Sequence, residues 1–106
     1  MEISCKHGTT QAVAIKQIDS FLEGLLRQTF PGGVVIKDPL KNWVGNIMSF
    51  SFRAKKGLIG TNIFGTVTVD DKNVTLVADV PGMVTAFVPE EKIVAVINKQ
   101  FGELFT

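Results

Sequence analysis

Cys5 and His7 are the residues of this chain whose types and spacing best suit chemistry. They are its only cysteine and its only histidine, two positions apart in "ISCKHGTT" (3–10). On a strand, positions i and i+2 point to the same face. A thiol beside an imidazole can serve as a nucleophile with its base, or the pair can supply two ligands to a metal. The competing reading is structural. Cys5 then packs as a small apolar side chain, and His7 marks the seam between a strand and a helix. A metal site needs three or four ligands, and no second group of cysteine, histidine or carboxylates has matching spacing. The structural reading is the stronger one, so no catalytic, cofactor-binding or metal-binding residue is assigned here.

The other polar groups have sufficient structural roles. "GLIGTNIFG" (57–65) holds three glycines, but a phosphate-cradling loop follows a strand and opens a helix, whereas here a turn opens a strand. Asp70-Asp71 fall in a hairpin loop and Glu90-Glu91 in the first turn of a helix. Arg53, Lys55 and Lys56 make a small basic hairpin tip that solvent can hold. An enzyme is therefore not expected.

The elements that position these residues follow from periodicity. Ile3 and Cys5 alternate with polar neighbours in a short strand. A helix follows, with Thr9 or Thr10 as its cap and an apolar stripe of Ala14, Ile15, Ile18, Leu22, Leu25 and Leu26. Phe30-Pro31-Gly32-Gly33 ends it. "VVIK" (34–37) reads as a second strand and "DPLKNWVGN" (38–46) as a turn-rich link. "IMSFSFRA" (47–54) alternates strongly, with Met48, Phe50 and Phe52 on one face. Lys56-Gly57 supplies a tight turn, and Ile59, Ile63, Val67 and Val69 line the next strand. "DDKN" (70–73) is a loop in which Asn73 suits a left-handed position. Val74, Leu76, Ala78 and Val80 line the last strand, and Pro81-Gly82 breaks it. Pro89 and two glutamates start a closing helix (89–105), with Ile93, Ile97, Phe101 and Leu104 along one side.

The expected fold is a single α+β domain over residues 1–106, one antiparallel-rich sheet with two helices on one face, in the order β-α-β-β-β-β-α. Leu22, Leu25, Phe50, Ile63, Val67, Leu76, Ile97 and Phe101 should form its core. A turn at Lys56-Gly57 pairs Phe50 with Ile63, and a four-residue loop pairs Val69 with Val74. Met48, Gly65 and Ala78 then make a row of the inner face where a helix can approach closely. A small apolar ligand would fit there, with Met83 and Phe87 of the following loop as further contacts. In the same register Ile47, Thr66 and Val77 lie side by side on the outer face, with Phe64 diagonal to Ile47 and Val77. Ser49, Ser51, Thr68 and Thr75 around them are polar but uncharged. An apolar, uncharged sheet face suggests a partner surface, a second copy of the chain being one candidate.

Bulk properties narrow the classes of function. The chain is 45% hydrophobic and 20% charged, a globular rather than disordered composition. Its net charge of +1 gives no bias toward nucleic acid. No apolar run is long enough for a transmembrane segment, and "MEISCKHG" has no signal-peptide core. A single cysteine cannot form an internal disulfide. A cytoplasmic protein is the expectation.

The whole pattern resembles a small bacterial family, the putative polyhydroxyalkanoic acid system proteins. The likeness lies in "ISCKHGTTQAVAI", a strand ending in a histidine before a long helix. It continues in "MSFSF", "GTVTV" and "VTLVADVPG", and in the closing helix "EEKIVAVINKQFGELF". "PGGVVIKDPLKNWVGN" is long for the family, and "DVPGM" stands where a leucine-glycine pair is expected. The resemblance implies an accessory role in storage-polyester metabolism, with the granule as a partner, and carries over no catalytic residue. His7 falls at the family's histidine position.

Overall fold

The computed structural model describes residues 1–26, 33–82 and 89–105, the side chains of Leu25 and Leu26 excepted. Within these residues seven elements follow in order: β1 (Glu2–Lys6), α1 (Gln11–Leu26), β2 (Val35–Val44), β3 (Ile47–Lys56), β4 (Ile59–Val69), β5 (Asn73–Ala78) and α2 (Glu90–Leu104). The strands form one sheet in the order β1-β5-β4-β3-β2, and every neighbouring pair is antiparallel. The expected α+β architecture is the observed one.

Both helices cover the same face. Ala14, Ile18 and Leu22 of α1 and Ile97 and Phe101 of α2 are buried in one cluster with Met48, Phe50, Val67, Val69, Val74 and Leu76 of the sheet. Phe21 and Phe101 join the helices edge to face, ring centres 5.4 Å apart. Thr10 caps α1: its Oγ1 accepts from the Val13 amide at 3.3 Å. Val34, Ala54 and Ile63 form a second cluster near the far end of the β3–β4 hairpin, with Ile93 of α2 packed against it. The expected core positions Leu22, Phe50, Ile63, Val67, Leu76, Ile97 and Phe101 are all buried. Leu25 lies outside the described side chains.

The β4–β5 register is the expected one: Val69 opposes Val74, Val67 opposes Leu76 and Gly65 opposes Ala78. The β3–β4 register differs by two residues. Lys56 pairs with Ile59, so the turn residues are Gly57-Leu58 rather than Lys56-Gly57, and Phe50 opposes Gly65 instead of Ile63. Gly57 has φ +61°, as the first central residue of a type II′ turn requires. A shift of two preserves which side chains face inward, so hydrophobic alternation cannot tell the two registers apart.

Two further expectations are corrected. Residues 38–46 are not a link: β2 runs through Asp38-Pro39 to Val44, and Gly45-Asn46 makes the turn into β3. Asp38 and Pro39 are absorbed as a bulge between Lys37 and Leu40. Asp38 takes φ +51°, which aspartate tolerates, and proline is accommodated at bulges and on edge strands. Asn73 does not take the left-handed conformation. Its amide instead donates to the Asp70 carboxylate, which also accepts from the Lys72 amide at 2.8 Å.

Candidate interaction surface

Around His7 the fold makes a knot of backbone hydrogen bonds. The His7 amide donates to the Lys72 carbonyl at 3.0 Å, which ties the end of β1 to the β4–β5 loop. The ring is 2% exposed. Its Nδ1 accepts from the Thr9 amide at 3.2 Å, so Nε2 carries the proton and donates it to the Asp70 carbonyl at 2.9 Å. Both nitrogens are thus committed to the backbone. Cys5 sits on the inner face of β1, opposite Val74, partly buried against the core. Burial pushes its thiol above the ordinary range, the opposite of what activates a nucleophile. The geometry of "ISCKHGTT" is that of a seam. The Asp70 carboxylate is likewise engaged, and the Lys72 and Asn73 amides hold it below the usual carboxylate range.

The inner-face row proposed for a ligand is differently composed and filled. Met48 opposes Val67 and is fully buried, while Gly65 lies between Phe50 and Ala78. The Phe50 ring rests on Gly65: a Cβ there would overlap Phe50 Cζ and stand 2.7 Å from the Val77 carbonyl oxygen. The space left by the missing side chain is therefore occupied by protein. Met83 and Phe87 lie outside the described residues.

The outer face is uncovered by either helix. Three adjacent rows cross it. The first runs Val44, Ile47, Thr68, Thr75, Ser4; the second Asn42, Ser49, Thr66, Val77, Glu2; the third Leu40, Ser51, Phe64. The expected grouping is corrected here. Ile47 stands beside Thr68 rather than Thr66, and Phe64 beside Ser51, so Ile47 lies two rows from Phe64 and out of its reach. Thr66 does pair with Val77, and Phe64 stays diagonal to Val77. Two apolar residues were not anticipated, Leu40 and Val44. They are 68% and 72% exposed, more than Phe64 at 61%. Their signal is the alternation of Leu40, Asn42 and Val44 with Lys41 and Trp43, hidden by the turn-forming Asp38-Pro39 just before it. The bulge switches parity, so Val35 and Lys37 face outward below it and Leu40, Asn42 and Val44 above it.

No family model, curated protein or solved structure matches the chain.

The charges of this face sit at its margins. Within the three rows, Glu2 at the outer end of the second is the one charged residue among those described. Asp79 follows β5, its amide bonded to the Phe64 carbonyl at 3.1 Å. Lys37, Arg53 and Lys55 occupy the next rows toward the β3–β4 turn. Solvated surfaces run to about a quarter to a third charged residues, so a central area of serine, threonine, asparagine and apolar side chains is unusual. It is also large, spanning all five strands.

Proposed function

We propose that this chain is a non-enzymatic accessory or binding protein of the cytoplasm that acts by protein association through its outer sheet face. The observation that carries this reading is the face itself: Phe64, Leu40, Val44, Ile47 and Val77 are exposed there in an uncharged field. Apolar exposure on this scale marks association surfaces in soluble domains. The residues best suited to chemistry point the same way, since the ring nitrogens of His7 and the carboxylate of Asp70 serve the backbone.

Photo-crosslinking in the cell tests this. A benzophenone side chain at Thr66 should give an adduct of discrete mass that Phe64→Lys abolishes. The same group at Lys16, on the exposed side of α1, should give none. No adduct from position 66, or equal adducts from both positions, would overturn the reading.

The resemblance to the polyhydroxyalkanoic acid system proteins adds a setting, storage-polyester metabolism. If the granule is where the protein acts, tagged protein should co-sediment with isolated granules, and Phe64→Lys should release it.

A further inference from the structure

We propose that the outer face closes on a second copy of this chain, forming a twofold dimer with Phe64 beside the axis. The proposal rests on the binding role assigned to that face and names its occupant.

The charge distribution is the first reason. Lys37, Arg53 and Lys55 form a basic end on the outer side of β2 and β3, where Asp38 in the bulge offsets one of them. Glu2 and Asp79 form an acidic flank at β1 and the end of β5. Both lie on one face, with Phe64 and Asn62 of β4 between them and Lys6 at the opposite end of β1 from Glu2. Such a surface is self-complementary under a twofold rotation. An axis in the plane of the interface, diagonal to the strands and passing near Phe64, exchanges the two ends. The basic end of each copy then lies over the acidic flank of the other. An axis at right angles to the strands through Phe64 would instead lay Lys37 and Arg53 over Asn42 and Ser49, and Lys55 over Ile47. The diagonal axis makes the strands of the two sheets cross near a right angle, one of the two packing classes of stacked sheets. Phe64 of one copy then meets Phe64 of the second beside the axis.

Area and edges are the second and third reasons. Strands about 4.8 Å apart and same-face rows about 7 Å apart give the three rows a footprint of about 440 Å² per copy. The resulting total of about 900 Å² falls among the small interfaces of weak, reversible association. Association along a sheet edge, the usual competitor, is obstructed. The β2 edge carries the Asp38-Pro39 bulge, and the β1 edge is a five-residue strand flanked by Glu2 and Lys6.

Sedimentation equilibrium of the purified chain, from micromolar to about 1 mM, tests the proposal. Wild type should show a monomer–dimer equilibrium. Phe64→Lys should weaken it by at least about tenfold while the dilute protein keeps its circular dichroism and melting behaviour. Phe64→Thr keeps the test readable if a lysine disturbs folding. Arg53→Glu and Asp79→Lys should each weaken the dimer, and their combination should recover affinity. A wild type that stays monomeric at about 1 mM overturns the proposal, as does a dimer indifferent to both Phe64 variants. A double swap that recovers nothing overturns the diagonal axis. A monomeric wild type that still gives a Phe64-dependent adduct with another protein in the cell overturns the second copy while leaving the binding role of the face intact.

Discussion

His7 shows how a residue with catalytic credentials becomes a structural one. Its ring is buried where β1, the start of α1 and the β4–β5 loop meet, and each nitrogen has a backbone partner. Removing the ring leaves the Thr9 amide and the Asp70 carbonyl without those partners. A buried group left unsatisfied costs about 1–3 kcal/mol. His7→Ala should therefore lose about 2–3 kcal/mol in urea unfolding, with part recovered in His7→Gln. Cys5→Ala combined with His7→Gln should leave association through the outer face unchanged in the folded fraction. Loss of association in a fully folded variant would return "ISCKHGTT" to the list of chemical sites.

Between elements, the attachment of α1 to the β2 edge is polar. Lys41 points to the inner side of β2 and places Nζ 2.7 Å from Asp19 Oδ1 and 2.8 Å from Glu23 Oε1. Trp43 Nε1 donates to the same Asp19 oxygen at 2.9 Å. The hydrogen bond from Lys41, then that from Trp43, holds the Asp19 carboxyl below its ordinary value. Burial works against the Lys41 charge, but the bonds to Asp19 and Glu23 outweigh it and raise its value. The signs follow by linkage. Asp19, depressed in the fold, stabilises above the ordinary carboxylate range, and this is lost as pH falls through its lowered value. Lys41, raised in the fold, stabilises below the ordinary lysine range, and this is lost as pH rises through its raised value. Asp19→Asn should cost about 1 kcal/mol, given the solvent exposure of the pair. The difference from wild type should stay flat from about pH 5 to 9 and shrink in stronger acid, as read from urea midpoints at each pH.

The same scale governs the contact of Phe50 with Gly65. Phe50→Ala should cost about 3–5 kcal/mol, and a loss below about 1 kcal/mol would contradict its burial. Gly65→Ala should also destabilise, by about 1–3 kcal/mol. Its new Cβ meets the Val77 carbonyl oxygen as well as the ring, so trimming Phe50 should rescue it only in part.

For the whole molecule, folding and association are linked through the outer face. A ligand that binds only the folded state raises its stability by mass action, and here the ligand is the chain itself. The melting temperature should then rise by a few degrees for each tenfold increase in concentration above the dimer constant. Phe64→Lys should melt at one temperature across the same range. A wild-type midpoint independent of concentration in differential scanning calorimetry would contradict the dimer.

The sequence by itself determined the kind and order of the described elements, which side of β1, β3, β4 and β5 faces the core, the tight β4–β5 loop, and the uncharged character of the outer face. These are local properties: a period of two or of three to four, a cap, a turn residue. Tertiary structure decided three things. It set the β3–β4 pairing, because a shift of two residues leaves every side chain on its proper face and only the Gly57-Leu58 turn separates the alternatives. It carried β2 through Asp38-Pro39, because a bulge on an edge strand tolerates residues that elsewhere make turns. It placed β1 beside β5, because Ile3 meets Leu76 and Cys5 meets Val74 across about seventy residues, a pairing on which alternation is silent. Leu40 and Val44 reached the outer face by the second of these decisions, which is why the surface proposed for association is wider than the sequence alone indicated.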